Sequence, residues 1–162
     1  MRSDLLTIGY EGCTIDQVLA ELKAAGVELL IDVRAVPMSR KPGFSKRQLA
    51  AGLDERGIAY VHLQGLGTPK SGRDAVRAGH PERMEPIFRE HMTSDRAQAE
   101  LAQAKGLARE RRACLLCFEQ DPMTCHRRFV AEMIAEETQQ PVMHLHAAPP
   151  APSRSRKRSV KS

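Results

Sequence analysis

The residues best equipped for chemistry lie in one stretch, Ala113 to Phe129, which reads A-C-L-L-C-F-E-Q-D-P-M-T-C-H-R-R-F. Within it Glu119, Asp121, Cys125, His126 and Arg127 crowd a single connection. A cysteine reacts as its thiolate, and nearby cations or a helix amino terminus stabilise that form. Asp121 suits an N-cap and Pro122 a first helical position, so Cys125 falls in the predicted first turn beside Arg127 and Arg128. That placement makes Cys125 a candidate nucleophile and Glu119 a candidate proton carrier. Neighbouring residues on a helix point about 100° apart. His62, from another strand, is therefore at least as good a base for Cys125 as His126. The structural alternative is a cysteine that merely packs or caps.

Cys114 to Phe118 is an apolar run of strand length, and Phe129, Val130, Met133 and Ile134 recur at helical spacing after the turn. A strand thus hands over to a helix through the reactive connection, and such turns are where open α/β sheets bind ligands. The same architecture repeats along the chain. Leu5 to Ile8 is a predicted strand, followed by the Gly9-Tyr10-Glu11-Gly12 turn, a Thr14 to Gln17 capping box and an Ile15, Val18, Leu19, Leu22 stripe that stops at Gly26. The two glycines fit neither dinucleotide fingerprint nor P-loop spacing, and no cofactor is expected.

Val27 to Val33 is the clearest strand and ends in Asp32-Val33-Arg34. Residues two apart on a strand share a face, so Asp32 either forms a structural ion pair with Arg34 or aims it at a substrate anion. Arg40 and neighbouring hydroxyl groups follow in the next loop, before a helix capped at Ser45 with Leu49 and Leu53 inward and Gly57 at its end. A basic loop beside a helix amino terminus suits phosphate or carboxylate, or is simply solvated. Ile58 to Leu63 alternates as a strand with Tyr60 and His62 on one side. Lys70 to Glu82 has no apolar stripe and reads as an irregular, lid-like segment. Met84 to Met92 and Asp95 to Arg112 are predicted helices, and Pro141 to His146 a last strand on which His144 and His146 share a face. The alternation predicts one three-layer α/β domain, Rossmann-like, with a mostly parallel sheet of about five strands flanked by helices.

The length of 162 residues and 41% hydrophobic content suit one such domain, spanning 1–146. No apolar run is long enough to cross a bilayer, so no membrane association is expected. Four cysteines, three of them between Cys114 and Cys125, do not resemble a secreted disulfide framework. Reduced thiols and a cytoplasmic location are expected. Five basic residues between Arg154 and Lys161 account for the whole excess of 25 basic over 20 acidic residues, so the pI of 9.3 is no argument that the folded body binds nucleic acid. The Pro, Ser and Arg-rich tail, 147–162, is expected to be disordered, with salt-sensitive affinity for nucleic acid or another polyanion. Truncation after Ala148 should leave the melting temperature nearly unchanged, and a large drop would show that the tail packs.

Taken in order, Gly9-Tyr10-Glu11-Gly12, Ile31-Asp32-Val33-Arg34, Ser39-Arg40 leading to Pro42-Gly43-Phe44, His62-Leu63, Cys117-Phe118-Glu119 and Cys125-His126-Arg127 resemble the domain-of-unknown-function 488 family over about residues 5–146. Gln64-Gly65 departs from that family's Pro-containing turn. The resemblance implies a compact α/β domain whose polar positions are Tyr10, Glu11, Asp32, Arg34, Arg40, His62, Cys125, His126 and Arg127, and it implies no activity.

The leading expectation is a cysteine-centred enzyme with Cys125, His62, Asp32 and Glu119 catalytic. Tyr10, Glu11, Arg34, Arg40, His126 and Arg127 would bind a small phosphorylated, nucleotide-like or nucleic-acid substrate. A non-catalytic anion or nucleotide binding module is the alternative. A metal or redox site from Cys114, Cys117, Cys125 and His126 is disfavoured, because Cys114 and Cys117 lie three apart on a strand and face opposite sides.

Overall fold

The computed structural model describes residues 4–147. Strands β1 (Leu5–Gly9), β2 (Leu29–Asp32), β3 (Ala59–His62), β4 (Ala113–Cys117) and β5 (Val142–Leu145) pair in the order β3-β2-β4-β1-β5. Every pairing is parallel. Parallel strands need crossover connections, and the helices that supply them cover both faces. Helices α1 (Ile15–Ala24) and α2 (Lys46–Asp54) lie on one face, packing Val18, Leu22, Leu49 and Leu53 against Leu6, Ile8, Leu30 and Leu116. On the other, α4 (Pro81–His91), α5 (Asp95–Glu110) and α6 (Arg127–Thr138) press Phe88, Leu101, Ala104 and Ile134 onto Leu5, Ile31 and Leu115. The predicted three-layer α/β domain is thus the observed one. The inward residues expected of α5, Ala97, Leu101, Ala104 and Ala108, are all buried.

Local signals explain most helix ends. Thr14 and Gln17 form the expected capping box of α1, and Ser94 caps α5 through the amide of Ala97. Ser45 precedes α2 as expected, but its hydroxyl is turned back onto Ser39, accepting from its amide and donating to its carbonyl. That bond ties down the loop after β2.

Lys70 to Glu82 differs from the lid-like expectation. It opens with helix α3 (Lys70–Arg77), reverses at Gly79 with φ of 87° and enters α4 at Pro81. Only Gly72 of α3 is buried, so no apolar stripe announces the helix. Asp74 supports it by pairing with Lys70 at 2.8 Å and Arg77 at 3.0 Å, spacings that suit helical side-chain pairs. The second departure is at the reactive connection. Asp121 caps a 3-10 turn over Pro122–Thr124, not α6, which begins five residues after Pro122 at Arg127. Ala147, one residue past the predicted end of the domain, is buried in the α1–α2 layer. The tail expectation concerns residues that, from 148 on, lie outside the described ones.

His144 illustrates how the edge strand is fixed. The Thr7 hydroxyl is hydrogen-bonded to His144 Nδ1 at 2.6 Å and accepts from Arg127 Nε at 3.1 Å, which ties β5 to β1 and α6. Burial pulls His144 below its ordinary pKa, helped by the charges of Arg127, His146 and Arg128 and opposed by Glu132. A histidine with a depressed folded pKa contributes full stability above its unfolded value, about 6.5, and loses it as pH falls below that. The melting temperature should therefore fall more steeply from about pH 7 to about 5 in the native protein than in His144→Gln. Parallel slopes would refute this assignment.

Candidate active site

Strand β4 lies between β1 and β2, yet it feeds α6 on one face while its neighbours feed α1 and α2 on the other. Chain leaving adjacent strands toward opposite faces opens a crevice at their carboxyl ends. A cleft of about 380 Å³ occupies that position. Tyr10 after β1, Arg34 and Ala35 after β2, and Cys117, Phe118 and Glu119 at the end of β4 line it, with His126 beside them. Helix α3 adds Arg73, Val76 and Arg77 to the lining.

The Asp32–Arg34 unit is the frame of this edge. Arg34 is 4% and Asp32 0% exposed. Arg34 donates from Nε and Nη2 to the two Asp32 oxygens at 2.9 and 2.7 Å. From Nη1 it donates to the Tyr10 hydroxyl at 3.2 Å and the Phe44 carbonyl at 2.8 Å. Tyr60 donates to Asp32 at 2.6 Å, and His62 Nε2 donates to the Arg34 carbonyl at 2.8 Å. Burial pushes the Tyr60 phenol up, and the Asp32 charge adds to it. Burial also raises the Tyr10 phenol despite Arg34. Tyr10 stacks on Phe44 with ring centroids 4.3 Å apart. The pair is thus a buried structural ion pair, and Arg34 also contributes to the cleft wall.

The reactive connection assembles differently from the helical expectation. Cys125 has extended backbone, φ −120° and ψ 140°, and precedes α6. The 100° geometry that favoured His62 is therefore absent, and the imidazole that meets the thiol belongs to His126. Sγ of Cys117, Sγ of Cys125 and a ring nitrogen of His126 all lie within 4.8 Å of one another. Cys117 Sγ is 3.7 Å from His126 Nδ1 and 3.9 Å from Glu119 Oε1. His126 Nε2 donates to the Val33 carbonyl at 2.8 Å, which turns Nδ1 toward the sulfurs. Burial alone would raise the Cys125 thiol. Hydrogen bonds from Cys117 and His126, then the charges of His126 and Arg127, bring it well below its ordinary value. Burial would lower His126, but its bond to Cys125, the charge of that sulfur, the Val33 carbonyl and Glu119 together raise it. The bond to Cys125 and burial raise Cys117, and burial with the adjacent sulfur charge pushes Glu119 up to about 7.

Not every expected residue reaches the cleft. Cys125 is 1% exposed and sits behind Cys117 and His126, which form the wall. Asp32 and His62 stand behind Arg34. Arg127 is 0% exposed and is used internally, donating to the Thr7 hydroxyl and to the carbonyls of Glu119 and Gln120. Glu11 is exposed, accepts from the Gln120 amide at 3.0 Å and lines an outer extension of the cleft. Arg40 is exposed and outside the lining. Cys114 turns to the α1–α2 layer, as its spacing from Cys117 required.

Three contributors were missed. Arg73 and Arg77 arrive on α3, and Thr68 comes from the preceding turn, where a Cβ on Gly67 would lie 2.5 Å from Ala35 Cα. Only glycine allows that approach. The Thr68 hydroxyl is buried at the cleft with no hydrogen-bond partner among the described residues.

Residues 14–134 match the family described as Domain of unknown function DUF488. The chain belongs to that family. The DUF488 match includes Asp32, Arg34, Cys117, Cys125 and His126, while Tyr10 and Glu11 precede it. No curated protein and no solved structure matches the chain.

Proposed function

We propose that this protein is an enzyme with a cysteine-centred, anion-binding site that acts on a small phosphorylated or nucleotide-like substrate. One observation carries the reading: Cys117 and His126, with Cys125 directly behind them, stand in the wall of a cleft that Arg73 and Arg77 also line. Two arginines on one helix suit a phosphate, and the unpartnered Thr68 hydroxyl gives a ligand one more hydrogen bond. The rim is apolar, with Val36, Met38 and Phe118 all exposed, which suits a flat or greasy remainder such as a base. Four free cysteines fit a reducing compartment, and we place the protein in the cytoplasm. Among the described residues no helix is long and apolar enough to cross a membrane.

The test is product formation from a panel of nucleotides and phosphorylated metabolites, read alongside binding by thermal shift. Cys125→Ser should keep the shift and lose turnover. Turnover retained in that variant would leave a cysteine-independent reaction. A ligand that binds both proteins and is never converted would favour the non-catalytic binding module.

A further inference from the structure

We propose that Cys117, Cys125 and His126 form a binding site for a zinc-class divalent cation, with its fourth position open to the cleft. Tetrahedral zinc with bonds of about 2.3 Å to sulfur and 2.0–2.1 Å to nitrogen sets its ligand atoms roughly 3.6 to 3.8 Å apart. The Cys117 Sγ to His126 Nδ1 separation of 3.7 Å already has that value, and all three donors fall within 4.8 Å. Little movement is needed to close the set.

The surroundings independently suit a cation with two thiolates. The His126 Nε2–H bond to Val33 fixes the tautomer and leaves Nδ1 as the ligating nitrogen, the outer-shell arrangement that metal-bound histidines require. The Arg127 amide donates to Cys125 Sγ at 3.5 Å. The Arg127 guanidinium is wholly buried, and among the described residues no carboxylate lies within ion-pair distance of it. Its charge favours thiolates, the form in which cysteine binds a metal, and the set with a divalent cation bound is neutral beside it. Cys117 ends the central strand of the sheet, which is paired on both sides.

Three protein ligands with an open position are the pattern of catalytic zinc, whereas structural sites close with four protein ligands. Cys117 and His126 face the cleft, so the open position does too. Glu119 stands on the same wall as a carboxylate able to take a proton from a group held there. This deepens the proposed function only in naming what its cysteine centre holds. A chain that binds no metal would leave the bare thiol cluster as that centre.

The experiment uses the full chain, made without a metal-binding tag, reduced, and titrated with cobalt(II) and with zinc. The wild type should take up stoichiometric zinc and give a thiolate-to-cobalt charge-transfer band with the intense visible bands of a tetrahedral site. Cys117→Ser, Cys125→Ser and His126→Gln should each weaken cobalt binding roughly 10-fold or more, since even an outer-shell loss costs about that. Cys13→Ser and Cys114→Ser should leave it unchanged. Absence of the charge-transfer band in folded wild-type protein overturns the site, and needs no variant to fold. A band of unchanged intensity and cobalt affinity in Cys125→Ser, or one lost in Cys114→Ser with the fold intact, overturns it as well.

Discussion

Replacing Arg34 by Gln should lower the free energy of unfolding by about 3–5 kcal/mol, because it strands a buried carboxylate. Asp32 would keep only the Tyr60 hydroxyl and the amide of residue 34, at 2.6 and 3.1 Å. The Tyr10 hydroxyl and the Phe44 carbonyl would lose their shared donor in the same step. Asp32→Asn should cost a similar amount by leaving the guanidinium uncompensated. The double variant should cost clearly less than the sum, since each single change pays mainly for the orphaned partner. Urea unfolding of the four proteins measures this directly, and full additivity would show that the two residues act separately. Both single variants should also bind ligand less well, because Tyr10 and Arg34 are cleft wall.

Gly9→Ala should be at least as damaging, by a different route. A Cβ at Gly9 would overlap the Glu119 carbonyl oxygen, lie 2.6 Å from its carbon and 3.0 Å from Arg127 Nη1. No rotamer relieves a clash with backbone, so the turn after β4 must shift. Overpacking usually costs 1–3 kcal/mol, and here about 3 kcal/mol or more is expected. The damage should reach function, since Gly9 pairs with Cys117 in the sheet and the displaced carbonyl anchors Arg127. Gly106→Ala is the contrasting substitution. It lies within α5, meets nothing within 4 Å, and should stabilise by about 0.5–1 kcal/mol. A Gly9→Ala protein as stable as the wild type would contradict the packing described.

These contrasts show where the sequence was informative. The inner strands β1, β2 and β4 are apolar runs that a parallel sheet buries on both faces, so the sequence placed each to within about two residues. The Asp32–Arg34 pair was visible because strand alternation puts both on one side. Cys117 was discarded for a sound reason wrongly extended. Its spacing from Cys114 excludes the two cysteines acting together, which the structure upholds, but says nothing about Cys117 with Cys125. Its place at the carboxyl end of a strand, shared with Tyr10 and Arg34, was the available signal. His126 was undervalued because Asp121 and Pro122 start a 3-10 turn as readily as an α-helix. Arg73, Arg77 and Thr68 had no local signal at all. Helix α3 buries only a glycine, and its place over the cleft depends on packing against α4 rather than on any pattern of its own.

The central claim is that an anion docks between the cysteine cluster and α3, and one measurement tests it most directly. Thermal shifts are recorded for the wild type and for Arg73→Ala/Arg77→Ala with inorganic phosphate, phosphorylated sugars and a panel of nucleoside phosphates. A ligand that binds only the folded state stabilises it by RT ln(1 + L/Kd) at free ligand concentration L, so the melting temperature climbs with ligand concentration. At least one phosphorylated probe should stabilise the wild type in a concentration-dependent way, and the double variant, equally folded without ligand, should lose most of that shift. No shift with any probe, or an equal shift in both proteins, would contradict the account.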